Sequence, residues 1–159
     1  MRGWAQGLGL GLDDDIAVLA GAPLFGLMGR DALRLLTFAA ERRSLAAGDQ
    51  LFARGERTDG GFVVLSGTIE LAPRVAGAEP IRAGRSALIG QLALFLRGER
   101  PSDARAAAPA EVMRITPTLM RRVLEEFPDA ASAVHAVLAD DLAGLSRGLD
   151  RVRGMFEAG

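Results

Sequence analysis

The apolar positions fall first into helical spacing. Ile16, Val18 and Leu19 follow Asp13, Asp14 and Asp15, which places carboxylates at the electropositive start of a helix. Ala22-Pro23-Leu24-Phe25 breaks that helix, and Leu33, Leu35, Leu36 and Phe38 predict a second short one over Arg30 to Phe38. From Arg42 to Ile115 the pattern becomes short apolar runs, many β-branched, punctuated by glycines such as Gly48, Gly55, Gly67, Gly77, Gly90 and Gly98. Turns at such even intervals predict an antiparallel barrel or sandwich. The expected strands are Arg43–Leu45, Gln50–Ala53, Gly61–Leu65, Thr68–Arg74, Pro80–Arg82, Ala87–Ile89, Ser102–Ala107 and Glu111–Ile115. The fold class is therefore α+β and mainly β: an eight-stranded antiparallel β-roll, jelly-roll-like, flanked by N-terminal and C-terminal helices.

One segment departs from the strand pattern. Gly90-Gln91-Leu92-Ala93-Leu94-Phe95 is rich in helix formers and sits between two strands, so it predicts a single helical turn. After Ile115 helical spacing returns. Pro117 suits the first turn of a helix running to about Phe127, and Pro128-Asp129 starts another that continues to about Phe156. On this last helix Leu138, Leu142, Leu145, Leu149, Val152 and Phe156 recur at alternating steps of four and three, a heptad seam. Such a stripe needs cover, either from the chain's own roll or from a second copy. A rise of about 1.5 Å per residue carries the end of the helix past the edge of a small roll, which favours a homodimer.

Composition narrows the chemistry. The chain has 159 residues, enough for one domain, with a flexible lead at residues 1–12 and the domain over 13–159. There is no cysteine, which excludes disulfides, thiolate metal sites and a cysteine nucleophile and fits a cytoplasmic protein. Net charge is −1, so no basic field draws the molecule to nucleic acid. All 19 basic residues are arginine, which leaves no lysine for Schiff-base or phosphate-loop chemistry. That bias reads either as codon usage or as phosphate recognition. No apolar run approaches the roughly 20 residues that span a bilayer, so no membrane partner is expected. A cupin-type metal centre needs several convergent imidazoles or carboxylates, and His135 is the sole histidine; no Gly-x-Ser-x-Gly elbow is present either. Neither an enzyme nor a metal or other cofactor is expected.

The informative window is Gly90 to Ala106. A turn opening on glycine offers free N–H groups to an anion, and Arg100, ten residues on, is placed to return to the same spot and grip a phosphate bidentately. By itself a glycine turn plus an arginine is a weak signal. The run Gly90-Gln91-Leu92-Ala93-Leu94 followed by Arg100-Pro101-Ser102-Asp103-Ala104, however, resembles the phosphate cassette of the cyclic-nucleotide-binding domains found in the catabolite activator, protein kinase A regulatory subunits and nucleotide-gated channels. Leu24-Phe25, Gly48-Asp49-Gln50-Leu51-Phe52, Phe62-Val63-Val64-Leu65-Ser66-Gly67-Thr68-Ile69 and Glu111-Val112-Met113-Arg114-Ile115 are similar to further family segments, in order, over about residues 16–145.

The resemblance implies a sensor domain whose ligand is cyclic AMP or cyclic GMP. The implied ligand-binding positions are Gly90, Gln91, Leu92, Arg100, Pro101 and Ser102. Two of them depart from the family pattern. Gln91 stands where the family has a glutamate for the ribose 2′-OH, and Pro101 stands where it offers an N–H to the phosphate. Together these changes cost on the order of 2–4 kcal/mol, or about 30- to 1,000-fold in affinity. Ser102 restores a hydroxyl donor, and Asp103 should alternate away from it. The alternative is a degenerate roll that serves as a protein–protein interaction module. Family transcription factors append a helix-turn-helix, for which no residues remain before Gly159, so either the expected output partner is another protein and not DNA, or the sequence is a fragment of something longer.

Overall fold

The computed structural model describes residues 11–73 and 75–158, with side chains through residue 144. Helix α1 (Gly11–Ala20), a 3-10 turn (Phe25–Leu27) and helix α2 (Arg30–Ala39) precede eight strands: β1 (Glu41–Leu45), β2 (Gln50–Phe52), β3 (Gly61–Ser66), β4 (Ile69–Leu71), β5 (Ile81–Ala83), β6 (Leu88–Ile89), β7 (Ala104–Ala106) and β8 (Ala110–Ile115). A 3-10 turn (Gln91–Leu94) separates β6 from β7, and helices α3 (Pro117–Glu126) and α4 (Pro128–Ala158) follow β8. Every strand pair is antiparallel, in two four-stranded sheets ordered β1-β8-β3-β6 and β2-β7-β4-β5. The expected mainly-β roll with flanking helices is the fold observed.

The central strand β3 shows why the chain folds this way. Its residues Gly61 to Leu65 are all buried, so it reads as an uninterrupted apolar run and lacks the alternation of a strand with one wet face. Phe62 and Val64 point into the roll, joining Leu51, Phe52, Ile69, Ala104 and Val112. Val63 and Leu65 point the other way, joining Leu19, Phe25, Leu36, Met113, Ile115 and Val123 under the helices. One strand thus divides two apolar cores. Its neighbour β8 does the same, with Val112 in the first core and Met113 and Ile115 in the second.

Several boundaries move. The first helix opens at Gly11, so residues 11 and 12 of the expected lead belong to it; residues 1–10 lie outside the described residues. Asp15 is buried and not a solvated dipole partner. It accepts two hydrogen bonds from Arg42, at 2.7 and 2.9 Å, and burial nevertheless holds its carboxyl above the usual aspartate range. The expected strand Ser102–Ala107 shrinks to Ala104–Ala106; just before it the Asp103 carboxylate accepts the Arg54 N–H at 2.7 Å. The strand expected over Thr68–Arg74 spans Ile69–Leu71 only. Thr116 caps α3 by accepting the Leu119 N–H at 3.1 Å, with Pro117 in the first turn.

The early part of α4 rests on the molecule's own helical core. Ala130 and Val134 are buried there, and Val137 and Leu138 are partly so. At Leu142 the helix has left the core, and that side chain is 67% exposed. The side chains of Leu145, Leu149, Val152 and Phe156 lie outside the described residues. Among the described residues, no helix is long and apolar enough to cross a membrane.

Candidate functional site

Arg100 is presented by a short stretch of backbone that two loops hold rigid. The Arg100 N–H donates to Glu56 O at 2.8 Å and the Gly55 N–H donates to Arg100 O at 2.9 Å. Two further bonds close the frame: Thr58 N–H to Gly98 O at 2.8 Å, and Gly98 N–H to the Thr58 hydroxyl at 2.9 Å. The side chain then runs inward, where it is 2% exposed. Its guanidinium carbon lies 4.4 Å from the ring centre of Phe52 and 5.3 Å from that of Phe62, two rings that stack on each other with centres 6.0 Å apart. A cation over such faces is stabilised by the ring quadrupole.

Both hydrogen bonds from this guanidinium leave through Nη2. One reaches the Gly60 carbonyl at 2.7 Å and the other the Asp59 Oδ1 at 3.2 Å. Burial lowers the Arg100 pKa, opposed by Asp59; an arginine stays protonated regardless. Nη1 has no acceptor among the described residues. It faces Gly90, where an added Cβ would stand 2.9 Å from it, and Gly90 itself has φ +80° and ψ +52°, which only glycine adopts without strain. The Gln91–Leu94 turn starts there, and a 3-10 turn leaves its first N–H groups without partners inside it.

All six positions singled out from the sequence, Gly90, Gln91, Leu92, Arg100, Pro101 and Ser102, line one cavity of about 820 Å³. Its rim is apolar: Val75, Ile81, Leu92 and Leu96 are each more than three-fifths exposed. No described residue of α4 lines it. A concave apolar site with one buried cation and free N–H donors at its floor suits a ligand that pairs a flat apolar body with a single anionic group.

Sequence reasoning missed what lies behind Arg100. Asp59 accepts on its other oxygen from Arg114 Nη1 at 2.6 Å, and Arg114 Nη2 donates to Glu41 at 2.5 Å. Glu41 also accepts from Arg43 at 2.9 Å, and these two arginines, Arg43 foremost, hold its carboxyl below the usual glutamate range. A chain of alternating charges therefore runs from the cavity across the β1–β8 edge. The one signal in the sequence was the Gly60-Gly61 pair beside Asp59; nothing there shows which arginines that aspartate meets.

Comparison with known proteins bears on the fold and the family. The cyclic nucleotide-binding domain profile matches residues 42–127, more than half of the chain. A cyclic nucleotide-binding-like protein from Brucella abortus bv. 1 str. 9-941 is 37% identical, with a TM-score of 0.62 over 70% of this chain and 98% of that one. The N-terminal domain of a transcriptional regulator from Streptomyces coelicolor A3(2) is 26% identical, with a TM-score of 0.75 over 83% of this chain and 94% of that one. The human patatin-like phospholipase domain-containing protein 6 is 24% identical over 130 residues, which are 80% of this chain; they span 9% of that much longer protein. The chain belongs to the cyclic nucleotide-binding domain family.

Proposed function

We propose that this domain is a regulatory sensor for a cyclic nucleotide, cyclic AMP or cyclic GMP, bound in the Arg100 cavity. The observation that carries this is the free Nη1 of Arg100 facing the Gly90 turn inside a cavity of about 820 Å³. A cyclic phosphate there takes two guanidinium N–H groups and the N–H groups opening the turn, while the base lies on the apolar rim. Gln91 replaces a charged acceptor for the ribose hydroxyl by a neutral one, and Pro101 gives the phosphate no N–H, so binding is weaker than an unaltered cassette provides. In this reading Leu138, Leu142, Leu145, Leu149, Val152 and Phe156 on α4 form a seam with a second copy, or close over the ligand. The exposed Leu142 at the point where α4 leaves the core supports the seam.

Thermal-shift titration with each nucleotide tests it. A ligand at 100 times its Kd stabilises the fold by roughly 2.7 kcal/mol; Arg100→Ala should abolish the shift and Gln91→Glu should enlarge it. No shift at millimolar nucleotide refutes the reading. A second reading, a scaffold for a protein partner, is favoured by one observation: the Arg100 charge is already matched by Asp59 and the Gly60 carbonyl. A partner captured equally by wild type and Arg100→Ala would select it.

A further inference from the structure

A second concavity of about 770 Å³ adjoins the first, sharing Thr58, Arg97, Gly98 and Glu99 with it, between the Arg57–Asp59 loop, the Phe95–Glu99 segment and the start of α3. Its lining is mostly polar and includes Arg57, Arg97, Arg114 and Arg121, against two carboxylates, Asp59 and Glu99. Asp59 is already engaged by Arg100 and Arg114. Arg57, Arg97 and Arg121 are exposed, and none takes part in an ion pair among the described residues. Arg114 adds a buried Nε with no acceptor among those residues. A molecule with a net charge of −1 thus gathers four guanidinium groups against two carboxylates in one groove, an excess of two positive charges, with three of the four outside any ion pair among the described residues.

Like charges so placed repel unless an anion sits among them, and the planar fork of arginine suits phosphate oxygens. We propose that this groove is a second anion site, for a small phosphorylated molecule carrying two or more negative charges, and that it is linked to Arg100 through Asp59. The link is geometric. One carboxylate oxygen holds Arg114 of the groove and the other holds Arg100 of the first cavity, so an anion that draws on Arg114 changes the hold on Arg100. The site does not require that a nucleotide occupy the first cavity, and it stands or falls separately from the sensor reading.

Sodium tripolyphosphate is the probe, followed by calorimetry and by the arginine Nε–H resonances of the full chain in NMR. The expected result is saturable binding that weakens at least about tenfold in Arg57→Gln with Arg121→Gln, two exposed changes outside the first cavity that leave the thermal midpoint in place. The Arg100 resonance should move with the same saturation curve in wild type and stay still in the double variant. Binding unchanged by the two substitutions overturns the site, since the anion then sits elsewhere. Equal affinity for a triglutamate peptide overturns the phosphate class, and a stationary Arg100 resonance during saturation overturns the link.

Discussion

Asp59→Asn isolates the electrostatic hinge of the site, because it keeps the size of the side chain and removes its charge. In the wild type the carboxylate accepts from Arg100 at 3.2 Å and from Arg114 at 2.6 Å. Removing one partner of a fully buried ion pair costs about 3–5 kcal/mol, whereas exposed pairs contribute about 0.2–1 kcal/mol. Here Arg100 is 2% exposed, Arg114 21% and Asp59 51%. Water reaches the carboxylate freely and the guanidinium only where Nη1 opens on the cavity, and the Gly60 carbonyl and the two rings stay behind to hold that cation. The loss therefore falls between the limits, at about 1–3 kcal/mol, or a fall of roughly 3–10 °C in the unfolding midpoint. Urea unfolding followed by circular dichroism should show a lower midpoint at an unchanged slope. Added cyclic nucleotide should restore more stability in the variant than in the wild type, because its phosphate becomes the sole charged partner of Arg100. A midpoint within error of wild type would mean that the Asp59 carboxylate contributes nothing net and does not link the two cavities electrostatically.

Three further outcomes follow from the same geometry. Gly90→Ala forces a left-handed backbone onto a residue with a Cβ and sets that atom 2.9 Å from Arg100 Nη1; it should cost about 1–2 kcal/mol in urea unfolding and remove any nucleotide-induced thermal shift. Glu41, whose folded pKa lies below 4.5 because Arg43 and Arg114 donate to it, contributes stability above that pH and loses it as pH falls through the folded value. The gap between wild type and Glu41→Gln, about 0.2–1 kcal/mol for so exposed a group, should be constant near neutrality and close in acid, and a gap that widens in acid would contradict the assignment. For the α4 seam, light scattering should return about twice the 16.7 kDa chain mass, and Leu145→Asp with Leu149→Asp should halve it.

Much of the roll was legible because its signals are local. The glycine punctuation, the Phe62–Leu65 run and the Gly90–Leu94 turn each depend on neighbours in the chain, and the six residues implied by the resemblance to the family's phosphate cassette line one cavity. What was illegible depends on partners far away in sequence. Asp59 meets Arg100 across 41 residues and Arg114 across 55. Asp15 looked like a helix-dipole residue until Arg42, 27 residues on, drew it inside. Asp103 sat in an expected strand, but its carboxylate accepts the Arg54 N–H, 49 residues away, just outside β7. A one-dimensional pattern assigns such residues to a face; it does not say which opposite charge waits there.

Because β3 is sealed on both sides, its amides have no private route to solvent. Loosening the helices frees one face of the strand and fraying the roll frees the other, but the pairing of Val63 with β8 and the Val64 N–H bond to Ala87 O at 3.0 Å, just before β6, are screened until both halves let go. Exchange of those two amides with deuterium therefore follows complete unfolding and not local breathing. Their rates measure the stability of the whole molecule, and any ligand that binds only the folded state must slow them by its full free energy of binding.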